Sequence, residues 1–448
     1  SGGVETQQRF LMQSNGGVMP FRAAVAGAKT VHTLFSGPAA GAQAAAYLAA
    51  EDAKTGLVTL DMGGTSCDIA FIEGGTPLEV TEGEVARRRL DVPALDLTTI
   101  SAGGGSIAWV DGGGLLAVGP QSAGADPGPV CYGKGGENPT VTDADITCGF
   151  LNPDYFLGGA QSLDVDASLK ALEEKVGRPL GMSALEAAAG IRRIVDMRMA
   201  DEVRIFGAKR GVDPQEFTLL PFGGAGAVHA APVAEELAMT RILVPPRPGA
   251  FSALGLLCTD VVHDYIRSEL RPLDQVPPNH AETIFQELED RGRIELKNEG
   301  MDPTAATFTR ELDMRYTGQG YELRVPLDGI SGNKGLDAAA LVVARDRFDG
   351  IHARIHGHAA KEKPAEIVSY RVRARIAVPK YEPVAEADVS ETPAPEGARK
   401  GTRDVWFTSD AATETAIWDR NALPAGAKLN GPAIVEQLDS TIVVPDGW

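Results

Sequence analysis

The chain has 448 residues, 43% hydrophobic and 23% charged, as expected of a globular protein with a sizeable core. Lys and Arg number 42 against 61 Asp and Glu, and the formal charge of −19 argues against a general nucleic-acid or anionic-membrane binder. The four cysteines form no C-x-x-C pair, which argues against a structural zinc site. So few cysteines, and no apolar stretch long enough to span a membrane, predict a cytoplasmic protein.

The first predicted elements alternate between helix and strand. An Ala-rich stretch from Ser36 to Ala50 predicts a helix packed closely against a sheet, because small residues dominate it. Residues 57–60 predict a short buried strand, and a second apolar strand follows a glycine-rich turn at residues 67–72. Strand, turn and strand together predict a hairpin whose tip lies against a ligand.

Residues 100–140 are rich in Gly and Pro and lack apolar periodicity, so they are predicted to form irregular loops. Residues 184–207 carry apolar side chains every three to four positions and predict a long amphipathic helix. The remaining predictions are a buried strand at 217–222, helices near 228–239, 281–297 and 336–356, and antiparallel strands from about residue 366.

The most specific local motif is the hairpin turn, which reads Asp61-Met62-Gly63-Gly64-Thr65-Ser66-Cys67-Asp68. Two adjacent glycines allow the backbone to approach a phosphate, and the amides of Gly64, Thr65 and Ser66 can donate to it. Asp61, at the end of a buried strand, can hold Mg²⁺ or its water ligands. The alternative is a structural turn with solvated aspartates, and the local pattern leaves both open.

A second glycine-rich loop comprises Gly103, Gly104 and Gly105, directly after an apolar strand. Three successive glycine amides can form a nest that binds an anion. The alternative is a tight turn where two elements cross.

A third glycine-rich segment, Gly223-Gly224-Ala225-Gly226, lies between a strand and a helix and can bind the ribose or phosphate of a nucleotide. It lacks the G-x-G-x-x-G spacing of a dinucleotide-binding fold. His229 falls in the first turn of the helix, where it is either a ligand-binding group or a capping and packing histidine.

Two other candidates are expected to be structural. Cys131 lies in the loop from Gly119 to Gly133 with no histidine nearby in sequence, which favours a buried thiol over a nucleophile. His352, His356 and His358 have a spacing that resembles a metal site, but no carboxylate accompanies them at a suitable position.

Together these segments resemble the A subunit of the hydantoinase/oxoprolinase family, of the N-methylhydantoinase A and 5-oxoprolinase type. The resemblance runs nearly end to end, and its further motifs are Gln13–Gly17, Ser36–Gly41, Gly119–Gly133, Thr140–Ala144, Arg315–Leu323 and Gly431–Ile434. Many motifs in one order make the resemblance far more specific than any single motif.

The resemblance implies an α/β fold like that of actin, sugar kinases and heat-shock ATPases (ribonuclease H-like), in which two halves close on ATP. Residues 1–265 would be the C-terminal half of that core with the phosphate loop and a helical insert. Residues 266–380 would form a helical or mixed region, and residues 381–448 a β-rich, incomplete C-terminal region. The family's opening phosphate loop is absent, so we expect the first actin-like half to be missing and the 448 residues alone to be inactive as an ATPase.

The resemblance also implies ATP-dependent opening of a cyclic amide such as a hydantoin or 5-oxoproline, with phosphorylation of the amide oxygen. The catalytic residues would be Asp61, which also holds Mg²⁺, and Asp68. The implied cofactor-binding residues are Gly63, Gly64, Thr65, Ser66, Gly103, Gly104, Gly105, Gly223, Gly224, Gly226 and His229. The implied partner is a B-type subunit or domain in an oligomer, and no nucleic acid or membrane is involved.

Two other functions fit the same motifs. An ATP-dependent carboxylase of the acetone or acetophenone type has a similar fold, and activity with bicarbonate would distinguish it. A non-catalytic, nucleotide-gated assembly module is the alternative of another class, and Asp61 and Asp68 favour the enzyme over it. A generic sugar kinase offers no role for the loop from Gly119 to Gly133. All three glycine-rich loops follow apolar strands, and ligands in α/β folds gather at such strand ends, so we expect the loops to face one cleft.

Overall fold

A computed structural model describes residues 9–26, 29–80, 83–85, 88–90, 92–277, 279–330, 336–383 and 390–448, with the backbone alone at residues 26, 83–85 and 88–90. The strands in chain order are β1 (Phe10–Met12), β2 (Val18–Pro20), β3 (Leu57–Met62), β4 (Cys67–Glu73), β5 (Thr76–Pro77), β6 (Glu79–Val80), β7 (Gly83–Val85), β8 (Arg88–Leu90), β9 (Ala94–Leu95), β10 (Leu97–Ile100), β11 (Ser106–Val110), β12 (Leu116–Ser122), β13 (Thr218–Phe222), β14 (Val261–Pro272), β15 (Ala306–Tyr316), β16 (Leu323–Pro326), β17 (Ala365–Ile376), β18 (Thr392–Pro393), β19 (Arg399–Val405), β20 (Thr413–Asp419), β21 (Ala427–Lys428), β22 (Ala433–Gln437) and β23 (Ser440–Val444). The helices are α1 (Phe21–Ala26), α2 (Ser36–Leu48), α3 (Ala50–Thr55), α4 (Val141–Thr147), α5 (Val165–Leu172), α6 (Arg178–Leu180), α7 (Ala184–Arg210), α8 (Gly226–Glu236), α9 (Phe251–Gly255), α10 (His280–Asn298) and α11 (Ala338–His356).

The chain divides into two compact units that are not continuous in sequence. Unit 1 takes its residues from 1–34, 91–93 and 259–380, and unit 2 from 35–90, 94–258 and 381–448. The predicted domains do not coincide with these two units. The first predicted boundary, after residue 265, falls inside β14. The third predicted segment, 381–448, belongs to unit 2 since its apolar side chains join the same core as β3, α7 and α8.

The central sheet of unit 2 has the strand order β10-β4-β3-β13, in which β13 is parallel to β3 and the other pairs are antiparallel. Successive side chains of a strand point to opposite faces of a sheet. Leu219 packs in one apolar cluster with α7 and α8, whereas Leu220 packs in another with the alanines of α2. Helices therefore cover both faces of this sheet, as expected of an α/β fold.

The predicted helix at residues 184–207 is confirmed as α7, and local sequence sets its limits. Ser183 and Glu186 form a reciprocal capping box at its start, and Gly211 adopts a left-handed conformation just after its end. The prediction that residues 100–140 lack regular elements is wrong. The strands β11 and β12 form an antiparallel hairpin there, because the short apolar runs of each strand pair across its tight turn.

The C-terminal part of unit 2 is a sheet of order β19-β20-β22-β23. Val405, Ile434 and Val443 from these strands are buried in the core that α7 and α8 also enter. The backbone of Trp406 donates to the carbonyl of Cys148, at 2.9 Å, just after α4. The predicted β-rich C-terminal region is thus a second sheet packed on the helical layer of the same unit.

Unit 1 contains a sheet of order β1-β2-β14-β17-β15-β16, with α10 packed on β14 and β17 and α11 on β16. The helices predicted near 281–297 and 336–356 are confirmed as α10 and α11, and the alternation from residue 366 is confirmed as β17. The T-shaped contact between Phe285 and Tyr370, 5.6 Å between ring centroids, joins α10 to the sheet. No helix within the described ranges is long and apolar enough to cross a membrane.

Candidate functional site

The predicted hairpin at residues 61–68 is confirmed. Asp61 lies opposite Asp68 in the β3–β4 ladder, and the Gly63 amide donates to the Ser66 carbonyl at 3.1 Å across the turn. An added Cβ at Gly63 or Gly64 would meet no atom within 4 Å, so the turn faces open space. Within the described part of the chain, the Gly64 and Thr65 amides donate to no protein acceptor, which leaves both available to a ligand.

The three glycines at 103–105 brace this hairpin and do not form the predicted anion nest. The Gly104 amide donates to the Gly63 carbonyl at 3.0 Å, and the Gly105 amide to the Gly64 carbonyl at 2.6 Å. The Gly103 amide donates to the Ser106 hydroxyl at 3.0 Å. All three amides are occupied by protein acceptors, and an added Cβ at Gly103 would lie 2.6 Å from the Thr65 nitrogen. Glycine is required here for close approach of two backbones.

The third glycine segment has two roles. Gly223 has a φ of +77°, and an added Cβ there would lie 2.4 Å from the Met62 carbonyl oxygen. An added Cβ at Gly226 would lie 3.0 Å from the Leu60 carbonyl oxygen. These two glycines therefore pack α8 against β3, in place of the ligand contact predicted for them. Only Gly224 of the segment would place a Cβ in open space.

The three glycine loops meet at one cavity of about 170 Å³, which confirms the prediction that they face a single cleft. Gly63, Gly64, Gly104 and Gly224 form the glycine part of its lining. The aromatic and apolar part consists of Tyr132, Leu151, Tyr155, Phe156 and Leu157, and residues 436–441 of the β22–β23 hairpin also line the cavity. The lining thus combines backbone polar groups with ring surfaces.

The charged side chains in the cavity wall are all acidic. Asp145, Glu436 and Asp439 line it, and none of the described lining residues is Lys, Arg or His. Glu436 is buried and is bonded to Lys400, to Arg403 and to the Asn152 amide at 3.0 Å. The charged groups of the wall therefore act as hydrogen-bond acceptors toward whatever enters.

Asp61 itself is half-buried beside the cavity. The Ser252 hydroxyl donates to its carboxylate at 3.0 Å. Burial raises its pKa to about 6, since the opposing hydrogen bond from Ser252 is the smaller effect and the charge of Asp68 adds to the rise. Burial likewise raises the pKa of Asp68, partly offset by a 2.5 Å hydrogen bond from the Thr99 hydroxyl. Asp61 can therefore change protonation near neutral pH.

His229, predicted to bind cofactor, is completely buried and lies behind the cavity wall. Its Nδ1 is 2.6 Å from the Asp196 carboxylate, and its Nε2 is 3.4 Å from that of Asp145, too poorly aligned for a hydrogen bond. Burial lowers the pKa of His229, but these two carboxylates outweigh it and raise the pKa to about 9. The histidine is therefore an imidazolium that supports the wall, not a group that meets a ligand.

Arg192 completes a buried cluster of four charges. It forms an ion pair with Asp145, and its guanidinium lies 3.8 Å from the Phe150 ring centroid. Burial raises the pKa of Asp145, but His229 and Arg192 hold it below its usual range. The cluster joins three helices around the cavity, with Asp145 on α4, Arg192 and Asp196 on α7, and His229 on α8.

The interpretation of Cys131 as a buried thiol agrees with its surroundings. It is fully buried, and burial together with the charge of Asp143 raises its pKa far above the usual range. Asp143 accepts from the backbone amides of Val130 and Cys131 and from the Ser168 hydroxyl, at 3.1, 2.8 and 2.6 Å respectively. A thiol in this setting stays protonated and does not act as a nucleophile.

Sequence reasoning missed Asp145, Arg192, Asp196, Ser252 and the β22–β23 hairpin as parts of the site. One signal was present, because Arg192 and Asp196 directly follow Ile191 and Val195 in the apolar stripe of α7. Charged residues one turn apart beside a buried stripe indicate a paired internal cluster. Ser252 and the hairpin lie far from the glycine motifs in sequence and carried no local signal.

These features define an α/β protein whose glycine-rich loops converge on an acidic, partly aromatic cavity. The profile of the family described as hydantoinase/oxoprolinase matches residues 2–265, and that of the hydantoinase/oxoprolinase C-terminal domain matches residues 277–448. The chain belongs to the hydantoinase/oxoprolinase family.

Among its relatives is an uncharacterised protein of Methanocaldococcus jannaschii, 40% identical over 98% of this chain and 63% of that protein. Caprolactamase subunit alpha of Pseudomonas jessenii is 33% identical over 100% of this chain and 63% of its own length. The nucleotide-free structure of acetone carboxylase has a TM-score of 0.82 and 29% identity, over 98% of this chain and 62% of that chain. The chain thus spans about six tenths of the length of these relatives.

Proposed function

We propose that this chain carries the nucleotide site of an ATP-dependent enzyme that opens cyclic amides. The observation that carries the proposal is the convergence of the Asp61 hairpin, the glycine loop and the α8 turn on one cavity. Family membership and the 33% identity to caprolactamase subunit alpha support a cyclic amide as the substrate class. We also infer that unit 2 is related to the actin and sugar-kinase ATPases, which its two-faced sheet and glycine loops support.

The residues present fit a nucleotide with a divalent cation. The free amides of Gly64 and Thr65 can donate to phosphate oxygens. The carboxylates of Asp61 and Asp68 are oxygen ligands of the type that Mg²⁺ prefers. Among the described residues no group of three or more His, Cys, Asp or Glu side chains can hold a metal by itself. Mg²⁺ would therefore enter with the phosphates and keep several of its water ligands.

The two parts of the lining suit different parts of ATP. The glycine part, with its backbone polar groups, would meet the phosphates. The tilted rings of Tyr132 and Phe156, 5.5 Å between centroids, offer apolar surface to the base. Thr65 and Ser66, which lie outside the cavity lining, would hold the terminal phosphate on the open side of the hairpin.

In the reaction, the amide oxygen would attack the terminal phosphorus of ATP, ADP would leave, and the ring N–H would lose its proton to solvent. The O-phosphorylated carbon no longer has amide resonance and is therefore electrophilic toward water. Asp61 would orient the cation, and with a pKa near 6 it is largely ionised at neutral pH. The braced hairpin would hold its amides in place without reorganisation, which is the basis of electrostatic catalysis. We further infer that a B-type subunit or domain completes the hydrolytic step within an oligomer.

The test is phosphate release by the complete protein, with and without a B-type partner. ATP, Mg²⁺ and a panel of hydantoin, 5-oxoproline and ε-caprolactam would be supplied, and ring-opened product measured by mass spectrometry. Phosphate release that depends on one of these amides is expected. Release that no amide in the panel stimulates would reject the proposed substrate class.

A second candidate is a subunit of an ATP-dependent carboxylase, favoured by the TM-score of 0.82 to acetone carboxylase. Its distinguishing assay replaces the amides with acetone or acetophenone and labelled bicarbonate. Incorporation of label into an acid-stable carboxylate, with no amide hydrolysis, would select this function. A nucleotide-gated assembly module would instead bind ATP and turn over neither substrate set.

A further inference from the structure

The acidic wall of the cavity constrains which part of a nucleotide can lie against it. Asp145, Glu436 and Asp439 line the cavity, and no basic side chain does so among the described lining residues. Phosphate oxygens and ionised carboxylate oxygens are both hydrogen-bond acceptors, so neither can satisfy the other. The part of a ligand that meets these carboxylates must therefore present hydrogen-bond donors or a cation.

Asp145 is the carboxylate best prepared to act as a fixed acceptor. Its side chain is only 3% exposed, and one oxygen pairs with Arg192 while the other lies 3.4 Å from His229. An ionised carboxylate accepts about four hydrogen bonds in total, so these two partners leave acceptor capacity on a residue that lines the cavity. Two neighbouring cations keep it ionised, so it cannot become a donor.

A metal ion fits Asp145 less well than hydroxyl groups do. In the described part of the chain, no set of three His, Cys, Asp or Glu side chains lies close enough to bind a metal. A cation at Asp145 would have one protein ligand and would compete with Arg192 and His229 for it. A pair of vicinal hydroxyl groups needs only the two acceptor positions that Arg192 and His229 leave open on the Asp145 carboxylate. In ATP, only the ribose carries vicinal hydroxyl groups.

We propose that Asp145 is a specificity-determining residue that accepts hydrogen bonds from the ribose hydroxyl groups of the bound nucleotide. The proposal rests on the proposed function, because it assumes that the cavity binds ATP. Arg192 and His229 act as positioning residues that fix the carboxylate from behind, and Asp196 holds His229 in turn. The cleft thereby selects ribonucleotides over deoxyribonucleotides.

The experiment compares ATP, 2′-deoxy-ATP and 3′-deoxy-ATP, each with Mg²⁺, by calorimetric titration of the complete wild-type protein. A hydrogen bond to a charged group corresponds to about a ten- to hundredfold change in affinity. At least one deoxy analogue should bind weaker by that factor. Asp145→Asn, whose amide oxygen is only a neutral acceptor, should reduce the difference between the nucleotides to less than about tenfold. Asp166→Asn, which changes an exposed carboxylate on α5 outside the cavity lining, should keep the wild-type discrimination.

Equal wild-type affinity for the three nucleotides would overturn this inference while leaving the proposed ATP site intact. Absence of any ATP binding would instead reject the proposed function. Undiminished discrimination in Asp145→Asn would also overturn the assignment to Asp145. If Asp145→Asn does not fold, Asp145→Glu replaces it, since it keeps the charge but moves the carboxylate by one methylene group, and discrimination equal to that of the wild type would overturn the assignment.

Discussion

Replacing His229 by Gln removes the positive charge that lies between Asp145 and Asp196 but keeps a side chain able to form hydrogen bonds. The charged groups around His229 are Asp145 on α4, and Arg192 and Asp196 on α7. Because all four side chains are buried, solvent screens their interactions little. The stability of unit 2 should therefore depend on the protonation of His229.

The pKa of His229 is about 9 in the folded protein, against 6.5 for an unperturbed histidine. The folded state consequently holds one more proton than the unfolded state between these two values. The stabilisation is fully present below pH 6.5 and is lost as the pH rises through 9. At ~1.4 kcal/mol for each pH unit, the difference corresponds to about 3 kcal/mol.

The measurement is urea unfolding of the wild type and His229→Gln at intervals from pH 6 to pH 10, followed by circular dichroism. The free energy of unfolding of the wild type should fall by about 3 kcal/mol more than that of the variant across this range. The matched control is His280→Gln, since His280 is 27% exposed and pairs with Glu269 in unit 1. Parallel pH curves for wild type and His229→Gln, or an NMR titration of the imidazole near pH 6.5, would refute a protonated His229.

Three further outcomes test the rest of the site. Asp61→Asn should lower the kcat for ATP turnover by the complete protein roughly 10²–10³-fold with little change in its unfolding midpoint, and wild-type turnover would make Asp61 structural. Because burial raises the pKa of Asp61 to about 6, Mg²⁺-dependent nucleotide binding measured by calorimetry should weaken as the pH falls through 6, and Asp61→Asn should lack that dependence. Gly103→Ala should destabilise the protein by about 1–3 kcal/mol in urea unfolding, because the added Cβ would lie 2.6 Å from the Thr65 nitrogen. Gly112→Ala, whose Cβ would meet no atom within 4 Å, is the control, and equal unfolding midpoints for the two would contradict the bracing role.

Local sequence patterns were sufficient to predict the elements whose conformation is determined by neighbouring residues. The hairpin at Asp61–Asp68 follows from two apolar strands around a glycine turn, and α7 follows from its apolar spacing and its capping residues. The convergence of three loops on one cavity was predictable because glycine-rich turns at strand ends meet at a shared edge in α/β folds. These inferences need no knowledge of distant contacts.

The chemistry of individual residues was less predictable, because it depends on partners distant in sequence. A run of glycines is compatible with an anion-binding nest and with a close crossing of two backbones. The second applies here, because the Gly104 and Gly105 amides donate to carbonyls of the Asp61–Asp68 hairpin. His229 resembles a ligand group in sequence, yet Asp145 and Asp196, which determine its charge, lie on other helices. The hairpin β11–β12 was missed because its strands are short and the segments before and between them, 103–105 and 112–114, consist of glycine.

The β22–β23 hairpin, which lines the cavity, is also the last part of the cavity wall to be synthesised. Thr441 follows Gly224, in the last of the glycine loops, by 217 residues, so the last wall of the cavity leaves the ribosome well after these loops. At a synthesis rate of roughly 5–20 residues per second, that interval lasts roughly 10–45 s. During this time the nascent α/β sheet lacks Ile434 and Val443, and the apolar surface that they cover stays accessible to chaperones.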